Sequence, residues 1–523
     1  MLTSFPSPFS SPLFSRHHIF CAVVGAGVLA LPQAVAWLGW VAGPICIIAF
    51  FIIQIIASHM LAMVYCVNGV EHARYHHAVK RILGKWNAVA LSFFQILNMS
   101  LITIAYTITG ALSMKAIATF ACSINGIENC WNQSWKLTLL FSASQVVLSQ
   151  IRNLESAWWV STLGAITSLF YCIVALVLGL VYSGAHAGSV GGIQTTQANK
   201  AFGILNALGS IAFSYNFSLI LIEIQDTLKQ PPSAAKQMHK AVNVAVTGAF
   251  VFYLTVAVAG YVSLGNSVPG MVLEGFPDAP IGLMIAANVA ILLHMVSAYQ
   301  VYAQPLFDTM ESHVKLRPSC EPRVTAGPAP PGAVGAAEVT GADAVRQNIV
   351  RNSAPIPTLR PEGWSSPVRI SARAGSGEPT GVQPRSSLSR FSQGLHRLSQ
   401  TAGMYHLDTG LTNETVPLND EHYLVPLWQR LIIRTAYVCF TAILGCVLPF
   451  FGSIVGLVGA LTYLPLSVLY PFWMYYVVYK PGRRAKNAML TVFFVMLLVS
   501  AAATVGAFRN IIIGWKNFKI FGD

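Results

Sequence analysis

Charge is what this sequence has least of. Only 10% of its 523 residues are Asp, Glu, Lys or Arg, against about 25% in a soluble domain. With 54% hydrophobic residues and a mean hydropathy of +0.58, the chain is an integral membrane protein whose surroundings include the lipid bilayer. Acids are scarcest at the start, where none precedes Glu71. The Ser/Pro-rich beginning holds a single basic residue, Arg16, and no amphipathic helix. That disfavours an organelle transit peptide and leaves 1–16 as a short cytosolic tail. Nine cysteines include no CxxC pair and no zinc-finger spacing, so no metal site and no cofactor is expected. The formal charge of +13 lies between apolar runs rather than on one stripe, which argues against nucleic acid as a partner.

What is present is a series of apolar runs of about 20 residues, the length a bilayer demands. They fall near 17–38, 41–66, 88–118, 135–151, 158–182, 202–226, 241–263, 281–311, 431–450, 454–478 and 487–507, eleven crossings in all. Basic residues sort to one side of them: Arg74, Lys80, Arg81 and Lys85; Arg152; Lys229, Lys236 and Lys240; Lys480, Arg483, Arg484 and Lys486. By the positive-inside rule the N-terminus is cytosolic and the C-terminus outside, with Arg509, Lys516 and Lys519 running against the trend. The outer connection 119–134 holds Cys122 and Cys130, close enough to bridge in an oxidising compartment. It also holds the glycosylation acceptor Asn132-Gln133-Ser134. Between 314 and 426 Pro, Ser, Gly and Arg replace the apolar runs, so this segment cannot bury a core and reads as a disordered cytosolic insert. Serines beside basic residues (Arg385-Ser386-Ser387, Arg390-Phe391-Ser392, Arg397-Leu398-Ser399) suit a kinase as partner, and suit a passive linker equally well.

Two of the crossings are interrupted. Gly25-Ala26-Gly27 and Pro32 break the first, and a small, polar patch from Gly209 to Ser218 breaks the sixth. In lipid, a broken backbone is tolerated only where protein or a wet cavity satisfies it. Taken singly, each break is also what a glycine packing motif with a kink looks like. Two of them, one opening each half of the chain, point to a secondary transporter built from inverted repeats. His72-Ala73-Arg74-Tyr75-His76-His77 has the HxxxHH spacing of a desaturase box, but the remaining histidines supply no second box. Enzyme chemistry is therefore not expected, and these histidines read as solvated or headgroup-facing. Ionisable residues within spans are functional candidates by default. His294 lies mid-span, where it carries a proton or bonds a neighbouring helix as a neutral ring. Glu223 and Asp226 close the sixth span as an inner gate or in headgroup water, water being favoured for Asp226. Tyr106 in the third span has a hydroxyl for substrate or for local packing.

Several stretches resemble the plant amino acid permeases of the amino acid/auxin permease family. They are Gly25-Ala26-Gly27-Val28-Leu29; Leu38-Gly39-Trp40-Val41-Ala42-Gly43-Pro44; Ala207-Leu208-Gly209 with Ile211-Ala212-Phe213; Leu221-Ile222-Glu223-Ile224-Gln225-Asp226-Thr227; Pro231-Pro232; and His294 through Pro305. The likeness runs from about His18 to Ile512, the insert excepted. It implies an all-α membrane protein with the leucine-transporter fold: an inverted five-plus-five repeat with helices 1 and 6 broken. The first repeat would occupy 17–182. The second would occupy 202–313 and 427–479, and an eleventh helix 487–507. It further implies proton-coupled import of amino acids, with auxin or another small carboxylate, or amino acid sensing without transport, as the alternatives. By position, the substrate carboxylate would meet the freed amides of Gly25, Ala26 and Gly27, at the positive end of a half-helix. Its amino group would face carbonyls of Ile211, Ala212, Phe213 and Ser214, with Tyr106 alongside. Coupling or gating would involve Ser210, Glu223 and His294. The chain departs from the family at Ser210, where the plant permeases usually have aspartate, which points to neutral substrates. The plasma membrane is the expected location.

Overall fold

Two apolar arms of α1 (Gly27–Met63) meet at Gly39, whose backbone lies at φ 82° and ψ 177°, a region that essentially only glycine enters. In the computed structural model, which describes residues 25–128, 130–151, 158–184, 188–226, 228, 233–314, 426–448 and 450–516, a distant loop closes this corner. The Trp40 amide donates to Val190 O at 3.1 Å and the Ile193 amide to Ala36 O at 2.8 Å. The Trp40 indole donates to Gly188 O at 3.1 Å. The corner separates the first two crossings. The tail 1–16, the start of the first crossing (17–24) and the insert from 315 to 425 lie outside the described residues.

A short antiparallel pair, β1 (Cys66–Val67) and β2 (Val70–Glu71), leads into α2 (Tyr75–Leu83). There follow α3 (Lys85–Ile124), α4 (Ser134–Ser149), α5 (Trp158–Val181), α6 (Gln197–Ser214), α7 (Ser218–Asp226) and α8 (Ala234–Leu264). The rest is α9 (Ile281–Val314), α10 (Leu427–Val447), α11 (Phe451–Tyr463), α12 (Tyr470–Tyr479) and α13 (Arg483–Lys516). Among the described residues, nine helical segments are long and apolar enough to cross a membrane. Counting both arms of α1 and adding the 16-residue α4 recovers the eleven crossings of the hydropathy pattern. Large apolar side chains face outward (Leu498 is 71% exposed and Val181 69%), which is stable in lipid and not in water.

Two groups of helices pack about a bridge. In one, α3, α4, α9 and α10 lie against one another; in the other, α1 lies against α6 and α8; α5 touches both α8 and α9. The interrupted α6 is held between α1, α11 and α13. Its contact with α11 is backbone on backbone. A Cβ at Gly209 would come within 2.9 Å of the Gly456 carbonyl carbon, and one at Gly459 within 2.5 Å of the Phe213 nitrogen. Apolar surface brings no hydrophobic gain inside lipid, so small residues that let backbones touch drive this association. At one end of the other group, Glu311 on α9 pairs with Arg434 on α10 at 2.7 Å, both buried. Arg434 also donates to Ser149 O on α4 at 2.6 Å. In the α3–α4 connection, Cys122 and Cys130 are disulfide-bonded, with Cα atoms 5.8 Å apart.

Candidate functional site

The described part of the first crossing opens with a bend at Gly25, a turn at Ala26 and helix from Gly27. The Val28 amide reaches back to Gly25 O at 3.3 Å and the Leu29 amide to Ala26 O at 3.2 Å. The amides before them are the donors that a helix start leaves without an intrahelical partner. Against this start lies the end of α6. A Cβ on Gly27 would meet Ser214 Oγ at 2.7 Å, Ser214 Cα at 3.0 Å and Phe213 Cδ1 at 3.2 Å. Gly27, Phe213 and Ser214 are thus brought together.

The interruption between α6 and α7 covers Tyr215, Asn216 and Phe217. Asn216 Nδ2 donates to Asn98 Oδ1 on α3 and to Thr462 Oγ1 on α11, both at 2.9 Å. The Thr462 hydroxyl donates to Asn98 Oδ1 at 2.8 Å and the Ser467 hydroxyl to Asn216 Oδ1 at 3.2 Å. The last carbonyls of α6 are engaged: Ala212 O by the Tyr215 amide at 3.3 Å, Phe213 O by the Asn216 amide at 3.0 Å and Ser214 O by the Tyr253 hydroxyl of α8 at 3.0 Å. Each carbonyl retains a second lone pair for a ligand.

Beside the break lies an aromatic cluster centred on His294 of α9. Its ring meets those of Tyr106 (α3) and Tyr171 (α5) edge-on at 6.5 Å and 5.7 Å. Tyr106 in turn packs on Tyr302 at 5.8 Å. Tyr253, whose hydroxyl holds Ser214 O, packs edge-on against Tyr215 of the break at 5.3 Å. His294 Nδ1 is 2.7 Å from Gly164 O. A carbonyl only accepts, so Nδ1 carries hydrogen and the neutral ring keeps its lone pair on Nε2. Nε2 is buried with no hydrogen-bond partner among the described residues. Nothing in the apolar-run pattern marks Tyr171 or Tyr253 as participants, whereas Asn98 stands out as a polar residue inside a long apolar run.

Other expected residues stand elsewhere. Ser210 sits a full turn before Ser214, where its hydroxyl is 3.3 Å from Asn206 O and 3.5 Å from Gly452 O on α11. Ile211 is fully buried, and Ala212 lines an apolar void against α11 and α13. Glu223 is buried on α7 rather than in headgroup water. Asp226 is half-buried and accepts from the Tyr65 hydroxyl at 2.8 Å. Of the histidine motif, His77 is exposed as expected, but its two other histidines are not solvated. His76 is buried, with Nδ1 2.9 Å from Ser92 Oγ, and His72 is buried too. Burial, and then the Arg81 charge, hold the His72 imidazole below its ordinary range. His59 and His239 pair with each other, their Nδ1 atoms 2.5 Å apart.

Fold and site together define a many-spanning helical membrane protein with a tethered break and a polar, aromatic-lined centre. Its kinship is direct. A family model described as transmembrane amino acid transporter protein matches residues 10–509, and the chain belongs to that family. It is 31% identical to amino acid permease 3 of Arabidopsis thaliana over 519 residues, covering 96% of this chain and 91% of that one. Amino acid permease 2 of the same plant is 29% identical, covering 96% and 88%. Lysine histidine transporter-like 4 is 33% identical over 304 residues, covering 57% of this chain and 66% of its own. Among solved structures, a nucleobase–cation symport-1 family transporter, closed on bromovinylhydantoin, covers 98% of this chain and 94% of its own, at 11% identity and a TM-score of 0.46. A manganese transporter mutant of Eremococcus coleocola covers 97% of each, at 10% and 0.39. At such scores these two add nothing to the fold described above. Amino acid transport is the activity that the permease relatives support.

Proposed function

We propose that this protein imports amino acids across the plasma membrane by proton symport and alternating access, with neutral side chains preferred. The observation that carries the reading is His294: a buried imidazole with its tautomer set by Gly164 O and its basic nitrogen open, edge-on to Tyr106. Such a ring gains or loses one proton without disturbing its anchoring bond. The substrate carboxylate lies at the Gly25–Gly27 amides and its ammonium at the lone pairs of Phe213 O and Ser214 O. The N-terminus faces the cytosol. Arg509, which runs against that orientation, is committed to protein, donating to Asn199 at 2.8 Å and stacking on Phe202 at 4.3 Å.

Neutral preference rests on Ser210, which bonds backbone oxygens and offers no charge to a basic side chain. The likeness to lysine histidine transporter-like 4 supports basic substrates instead. Competition by all twenty amino acids at two pH values, on protein in liposomes, decides between them. Neutral amino acids should compete best, His294→Ala should flatten the pH profile, and Ser210→Asp should raise relative lysine uptake. A wild type that prefers arginine, or an unaltered pH profile in His294→Ala, overturns the corresponding half.

A further inference from the structure

One face of α9 carries buried polar side chains from His294 to Gln304, and again at Glu311 beyond Phe307. Ser297, Gln300, Gln304 and Glu311 follow at helical spacing, at 5%, 2%, 2% and 8% exposure. Facing it, α4 contributes Gln145 and Ser149, both fully buried. The two helices are stitched at two points. Gln300 Nε2 donates to Gln145 Oε1 at 2.7 Å, and Arg434 bridges Glu311 to Ser149 O. Between and beside these bonds, four amide atoms are buried with no hydrogen-bond partner among the described residues: Gln145 Nε2, Gln300 Oε1, and both Nε2 and Oε1 of Gln304. Buried polar atoms are nearly always satisfied, and where protein does not reach them an internal water does. Unsatisfied amides one turn apart in a membrane interior therefore mark a wet seam. From His294 to Glu311 the helix rises about 25 Å, more than the roughly 15 Å from mid-membrane to one edge of the hydrocarbon core, so the seam is long enough to reach one face.

We propose that this seam holds a file of water that carries the proton from His294 to the cytosolic face, with Gln304 as its central water site. The proposal rests on His294 as the proton carrier. In the release step the Nε2–H bond of the imidazolium breaks and a water takes the proton as hydronium. The ring is left neutral with its Nδ1–H still on Gly164 O. The charge then passes along the file by exchange of O–H bonds, which reverses the orientation of every water it crosses. A primary amide suits that reversal because its NH2 donates and its oxygen accepts, so the file is held in either direction. The titratable groups around the seam are Tyr106, Tyr171 and Tyr302 at the His294 end and Asp308, Arg430 and Arg434 about Glu311 at the other. Arg434 neutralises Glu311, so that carboxylate is held charged and does not trap the proton.

The test uses the full chain in proteoliposomes, with radiolabelled alanine and a pH dye in the lumen. Gln304→Leu and Gln304→Met remove the amide while keeping its volume. In both, proton-driven alanine uptake and lumenal acidification should fall together at least tenfold. Alanine–alanine exchange, which releases no proton, should stay within twofold of wild type. Wild-type uptake and acidification in both variants overturns the proposal. So does an equal loss of exchange, which makes Gln304 a packing residue. A wild type that accumulates alanine without acidification instead sinks the symport reading itself.

Discussion

At Gly27 one methyl group separates contact from collision. A Cβ would stand 2.7 Å from a movable hydroxyl but only 3.0 Å from Ser214 Cα, which is backbone. Even Gly27→Ala must therefore push the two interrupted helices apart, and Gly27→Leu far more so. Uptake should drop at least tenfold in Gly27→Ala and vanish in Gly27→Leu, while surface biotinylation shows normal insertion. Full transport with unchanged affinity in Gly27→Ala would show slack between the helices. Gly27 is legible from sequence because two glycines in a membrane run are conspicuous. What the glycine meets is not legible, since Ser214 lies far along the chain and only packing brings it there. The histidines show the converse error. Basic neighbours such as Arg74 and Arg81 suggest a solvated helix, whereas His72 and His76 are turned inward beneath it.

At the scale of helices, the Glu311–Arg434 pair fastens α9 to α10 and, through Ser149 O, to α4. Its partners lie 123 residues apart with the whole insert between them, so no local pattern announces the pair, although an arginine inside an apolar run is itself a signal. Arg434 also stacks over Phe307 at 5.1 Å. Truncating it leaves a buried carboxylate uncompensated, a loss of about 3–5 kcal/mol for pairs of this kind. Arg434→Met should lower the detergent melting temperature markedly, and Arg434→Met with Glu311→Leu should recover most of it, because two apolar side chains need no partner. If the double variant is no more stable than Arg434→Met, the carboxylate is not the source of the loss.

For the whole molecule, the number and order of crossings follow from hydropathy, because lipid sets the length of each run whatever it packs against. Their partners do not, since packing between helices in lipid is decided by small residues and scattered polar groups. The bridge between Cys122 and Cys130 bears on which side is outside. In intact cells neither cysteine should take a membrane-impermeant thiol reagent until reductant is added, and labelling without reductant would place this connection elsewhere. The insert is the remaining question of scale. Its composition cannot sustain a core, and the helices it joins do not need it as a spacer. Glu311 and Arg434, near its two attachment points, are in contact at 2.7 Å. A few residues suffice to close such a gap, and each halving of a connection's length lowers its closure cost by only about 0.6 kcal/mol. Deleting 320–418 should leave the remaining linker long enough to connect α9 to α10. Alanine KM and maximal rate should change less than twofold in proteoliposomes, with a monodisperse elution profile in detergent. Aggregation of the deletion variant, or a tenfold loss of rate in correctly inserted protein, would mean that the insert supports the transport domain rather than interrupting it.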